Sequence, residues 1–142
     1  MPSLVSAPLQ SGSHKRVLLV DQSNDSRDVI RTVLERRGME ILEASSAGAG
    51  LEMLREHRPN VVVLDADAES ADNPRLRTAY DHELASNQGE IVVLGNMDRD
   101  QMGSDKHLVR KPYHYGPLIQ KIERLVSQRE TDQPGERHNK AS

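Results

Sequence analysis

Three four-residue apolar runs dominate this sequence: Val17-Leu18-Leu19-Val20, Val61-Val62-Val63-Leu64 and Ile91-Val92-Val93-Leu94. They stop abruptly at Asp21, Asp65 and Gly95. A short run with no polar alternation suits a strand covered on both faces, the usual state of a strand in a parallel sheet. Two further segments extend the series. Met39 to Ala44 reads as the second strand in chain order, and Leu108-Val109 lies in a shorter fifth that runs into Lys111-Pro112.

Helical patterns fill the gaps. Val29, Ile30, Val33 and Leu34 share one helical face, with Asp25 as the expected N-cap, Asp28 three residues on and Gly38 as the stop. Ser45 or Ser46 caps a helix that carries Leu51 and Leu54 and finishes before Pro59. A weaker helix follows Pro74, with Leu76 and Tyr80 on one face. The last helix has Pro117 near its first turn and Leu118, Ile119, Ile122, Leu125 and Val126 at helical spacing. Strand and helix thus alternate about five times, which predicts an α/β fold with parallel strands and helices on both faces. Functional groups in such sheets gather at the carboxyl ends of the strands. Here those ends carry Asp21, Gln22, Asp65, Gly95 and Lys111.

Composition narrows what that acidic cluster can do. At 142 residues the chain has room for one domain. With no cysteine it has no thiol nucleophile, thiolate metal site or disulfide. With no Phe or Trp and only three Tyr, the core must be aliphatic and a base-stacking platform is not expected. A net charge of −3 argues against direct nucleic-acid binding. No apolar run approaches a membrane span and no secretory signal is visible, so a cytoplasmic location is expected. Gly48-Ala49-Gly50 matches neither glycine-rich phosphate fingerprint, and the six histidines show no metal-ligand spacing. The Ser- and Pro-rich residues 1–14 are expected to be a flexible leader, residues 15–129 the folded domain, and the charged residues 130–142 a disordered tail.

The stretch from VLLVDQSNDSRDVI to VVVLDAD resembles the first half of a response-regulator receiver domain of the CheY type, and VRKPYHYGPLIQKIERL resembles its closing strand, Lys-Pro loop and final helix. The resemblance covers nearly all of residues 15–128. It implies a flavodoxin-like, doubly wound five-stranded parallel sheet in the order 2-1-3-4-5. It also implies phosphotransfer from a histidine kinase or phosphotransfer protein to an aspartate. Asp65 then matches the phosphoacceptor and Lys111 the lysine that contacts the phosphoryl group. Asp21 matches the first acidic residue that helps to bind Mg2+, and the backbone carbonyl of Asp67 falls where the family supplies a further metal ligand. Pro112 matches the proline usually reached through a cis peptide. The chemistry is coherent, because a carboxylate attacks phosphorus only once the repulsion between two anions is neutralised.

Three departures alter that expectation. The second acid of the usual pair is Gln22, a weak ligand that keeps an oxygen but loses a charge; Asp67 is the nearby acid that could return it. The position of the family's Thr or Ser at the end of strand four is Gly95, and that of the aromatic switch in strand five is Leu108, so the hydroxyl-to-aromatic relay cannot operate. The stretch from Asn96 to His107 is short and polar, so helix four should be short, irregular or absent. The leading expectation is a stand-alone receiver in a phosphorelay, limited to self-phosphorylation and autodephosphorylation and otherwise not an enzyme. Its output would run through a downstream protein target, with homodimer formation left open. Alternatives are a phosphorylation-independent pseudo-receiver that acts as a protein-interaction module and, on the same fold, a flavin or nucleotide binder.

Overall fold

The computed structural model describes residues 15–95 and 107–131, with side chains as far as residue 128. The expected leader, the tail beyond residue 131 and the expected short fourth helix between Asn96 and His107 lie outside the described residues. The strands are β1 (Arg16–Val20), β2 (Glu40–Ala44), β3 (Val61–Asp65), β4 (Glu90–Leu94) and β5 (His107–Val109). The described helices are α1 (Asn24–Arg36), α2 (Ala47–His57), α3 (Pro74–Asn87) and α4 (Tyr115–Thr131). All strand pairs are parallel, in the order β2-β1-β3-β4-β5. The resemblance implied that order. No helix among the described residues is long and apolar enough to cross a membrane.

The apolar runs explain the layers. Leu18, Val62 and Ile91 are register partners, and they face one core with Leu54, Tyr80 and Leu84 of α2 and α3. Their neighbours Leu19, Val63 and Val92 face the opposite core with Ile30, Leu34 and Ile122 of α1 and α4. Every residue of a run is therefore buried, because alternate side chains feed two different cores. Each such Leu, Ile or Val contributes on the order of 1.5–3 kcal/mol.

The caps follow the sequence with one correction. Ser46 caps α2 by accepting from the Ala49 amide at 3.2 Å, and Asn73 caps α3 with Pro74 at its start. The cap of α1 is Ser23, which accepts from the Ser26 amide at 3.2 Å, and not the expected Asp25. The chain turns into the helix directly after Asp21, so Ser23 stands at the boundary and Asp25 within the first turn. There Asp25 can act only on the helix dipole. Gly50 of α2 has a packing role: the Tyr80 hydroxyl, which donates to the Ala47 carbonyl at 2.8 Å, and the methyls of Val20 occupy the space a Cβ would need.

Candidate functional site at the carboxyl edge of the sheet

β1 and β3 end side by side in the middle of the sheet, which places Asp21 and Asp65 together at its carboxyl edge. Both are about 5 % exposed and lie among the few buried polar side chains described. Local backbone bonds orient each one. The Ser23 amide donates to Asp21 Oδ1 at 2.8 Å, and the Asp67 amide donates to Asp65 Oδ1 at 2.8 Å. Each is an Asx-type turn in which a carboxylate satisfies the amide two residues on.

Lys111 enters from the loop after β5, beside a cis Lys111–Pro112 peptide. Its Nζ donates to Asp65 Oδ1 at 2.8 Å and Oδ2 at 2.9 Å, and to Asp67 Oδ2 at 3.2 Å. The fold thus brings Asp21, Asp65, Asp67 and Lys111 to one rim. Gln22 is exposed beside them. The Asp67 carboxylate pairs with Lys111 on the outer side. Among the described residues, no group of three or more His, Cys, Asp or Glu side chains is arranged to hold a metal ion.

The electrostatics follow from burial and crowding. Burial, together with the like charge of Asp65, raises the Asp21 pKa against the opposing Ser23 hydrogen bond. For Lys111, burial works downward, but the hydrogen bonds and charges of Asp65 and Asp67 outweigh it and the pKa is raised.

The switch positions are built differently from side-chain deletions alone. Gly95 has φ +149, and a Cβ on it would stand 2.7 Å from Ala66 Cβ. The Ala66 amide donates to the Leu94 carbonyl at 2.8 Å and the Gly95 amide to the Val109 carbonyl at 2.9 Å, so hydrogen bonds tie the loop ends of β3, β4 and β5. Leu108 packs inward against the α2/α3 core.

Sequence reasoning missed Tyr113. It is half-buried, packs against the α1/α4 core, and meets Tyr115 edge-to-face at 5.6 Å and 88°. Burial raises its pKa, and Tyr115, Asp21 and Asp65 add to the effect. The available signal was its place immediately after Lys-Pro in a chain with three aromatic residues.

The family model of the response regulator receiver domain matches residues 17–102, more than half of the chain. The chain belongs to that family. Among curated receivers it is similar to the chemotaxis protein CheY of Bacillus subtilis, 23% identical over 79% of this chain and 98% of that protein. It is also similar to the response regulator receiver protein CpdR of Brucella abortus, 26% identical over 79% of this chain and 97% of that protein. Among solved structures, a CheY-like receiver domain protein from Methanospirillum hungatei matches at TM-score 0.67 and 25% identity, covering 80% of this chain and 95% of that one. The receiver domain of the hybrid histidine kinase CckA matches at TM-score 0.64 and 19% identity, covering 78% and 98%, a likeness of fold. The protein is therefore a CheY-like receiver domain of two-component signalling. Receivers generally bind Mg2+ at an acidic phosphorylation site and interact with histidine kinases or phosphotransfer proteins and with downstream targets.

Proposed function

We propose that this receiver accepts a phosphoryl group on Asp65 from a histidine kinase or phosphotransfer protein and signals through contact with a downstream protein. One observation carries the reading: a buried carboxylate held by a backbone amide, with a lysine ammonium across both of its oxygens and a second carboxylate behind it. Asp65 is the nucleophile. Lys111 supplies positive charge to the phosphoryl oxygens as the P–O bond forms. The only reactions assigned to the chain itself are its phosphorylation and the hydrolysis of the product. Its setting is cytoplasmic, beside the kinase.

The donor set suits magnesium. Asp21, Asp65 and the Asp67 carbonyl are hard oxygen donors, with Gln22 as a weaker oxygen. Burial first, and then the like charge of Asp65, raises the Asp21 pKa, and a cation would relieve the crowding of these two carboxylates. When bound, magnesium supplies charge neutralisation at the phosphoryl oxygens. Gln22 in place of a second acid makes this a low-affinity site.

A second reading, a phosphorylation-independent interaction module, is favoured by Gly95 and Leu108, which leave no hydroxyl-to-aromatic relay. Titration with beryllofluoride and magnesium, followed by amide chemical shifts, separates the two, as does intact mass after incubation with phosphoramidate. Phosphoacceptance predicts shifts around Asp65 and a mass gain abolished by Asp65→Asn. No response at saturating reagent would overturn it and leave the interaction module.

A further inference from the structure

Lys111 has three N–H donors and, in this structure, three carboxylate oxygens within hydrogen-bond distance: both of Asp65 and Oδ2 of Asp67. Its donors are thus all matched before any phosphoryl group arrives. The Asp67 contact differs from the other two. It is the longest, at 3.2 Å, and its carboxylate is 75% exposed, against 7% for Asp65. Asp67 is held at the rim by its own backbone, because its amide bonds Asp65 Oδ1 whatever its side chain is.

We propose that the Asp67 side chain is a positioning residue that clamps the Lys111 ammonium toward the rim and slows the capture of phosphate by Asp65. The kinetic half of this rests on the phosphoacceptor reading of Asp65; the clamp itself does not. Two effects act in the same direction. Asp67 competes for the N–H that would otherwise meet a phosphoryl oxygen. Its negative charge also stands at the mouth through which an anionic donor must pass. In the reaction with phosphoramidate, an Asp65 carboxylate oxygen forms the new P–O bond. The P–N bond breaks, and its electron pair leaves with the nitrogen as ammonia. The incoming phosphoryl oxygens need Lys111 at that moment, and Asp67 holds part of it back.

The test uses the full chain and the variants Asp67→Asn, Asp67→Ala and Asp67→Glu. Phosphorylation by phosphoramidate should be about three- to tenfold faster in the Asn and Ala variants at low salt, the size expected for one unit charge near a partly exposed site. The gap should shrink at high salt as screening removes the charge effect. The Glu variant, which keeps the charge, should stay near wild type. An independent readout is the rate at which an acetylating reagent labels Lys111, with Lys121 as internal reference by peptide mass spectrometry. Labelling should be faster in the Asn and Ala variants. Equal rates of phosphorylation and of labelling in wild type and Asp67→Asn would overturn the proposal. Faster labelling with no phosphate uptake by any form would support the clamp and overturn the phosphoacceptor reading together with the kinetic half. A merely structural role for Asp67 would move neither the salt dependence nor the rescue by glutamate.

Discussion

Gly95 and Ala66 approach so closely that a Cβ on Gly95 would stand 2.7 Å from the Cβ of Ala66. The backbone at Gly95 also lies at φ +149, outside the range L residues readily adopt. The missing hydroxyl at this receiver position is therefore a property of the loop backbone as well as of the side chain. Gly95→Thr should lower stability by about 1–3 kcal/mol, and Gly95→Ala by a similar amount, because the Cβ and not the hydroxyl causes the conflict. Urea denaturation of the two variants checks this. A Gly95→Thr variant as stable as wild type would show that the loop relaxes at no cost.

The titration of Asp21 gives a prediction with a definite sign. Its folded pKa is raised, first by burial and then by Asp65. The folded state therefore holds the Asp21 proton more tightly than the unfolded state, and the ionised carboxylate costs stability at neutral pH. That cost is fully present above the folded pKa and fades as pH falls toward the ordinary carboxylate value of 3.8. Asp21→Asn keeps an oxygen for the Ser23 amide and removes the charge. It should be more stable than wild type at pH about 7, with the difference closing as pH drops through the carboxylate range. Added magnesium should stabilise wild type more than the variant. Urea midpoints across pH, with and without magnesium, provide the check.

Gly50 and Tyr80 should behave as a coupled pair. A Cβ on Gly50 would meet the Tyr80 hydroxyl and stand 2.7 Å from Val20 Cγ2. Gly50→Ala should cost about 1–3 kcal/mol by overpacking, despite the higher helix propensity of alanine. Tyr80→Phe removes the hydroxyl and with it part of the conflict, so the double variant should lose less than the sum of the two single losses. A double-mutant cycle in urea tests this, and strict additivity would contradict it.

The cap of α1 distinguishes Ser23 from Asp25. Ser23→Ala should cost about 1 kcal/mol because the Ser26 amide loses its acceptor. Asp25→Ala should cost only about 0.3–1 kcal/mol, through the helix dipole, and this smaller loss should diminish in high salt. Thermal unfolding at two ionic strengths separates the two effects.

The amino-acid sequence by itself determined the strands and the order in which helices follow them. The apolar runs and the 3.6-residue spacing are local patterns, and burial on two faces or one is their direct physical consequence. Val61 to Leu64 could hardly form anything but a central strand, Pro74 marks a helix start from its own chemistry, and Ser45-Ser46 marks another to within one residue, Ser46 being the cap in the structure. The carboxyl-edge residues Asp21, Asp65 and Lys111 could be named in advance because each ends, directly follows or closely trails a strand. Ser23 and Asp25 show the limit of local reasoning: both offer an oxygen, and the point where the chain leaves β1 chose between them. Only the tertiary structure decided which groups meet. Lys111 reaches Asp65 across 46 residues of sequence. The Asp67 side chain joins that lysine, Tyr113 packs against the α1/α4 core, and Ala66 closes the space above Gly95. Side-chain direction and close approach between distant segments depend on how the packed elements sit against one another, and no local pattern carries that information.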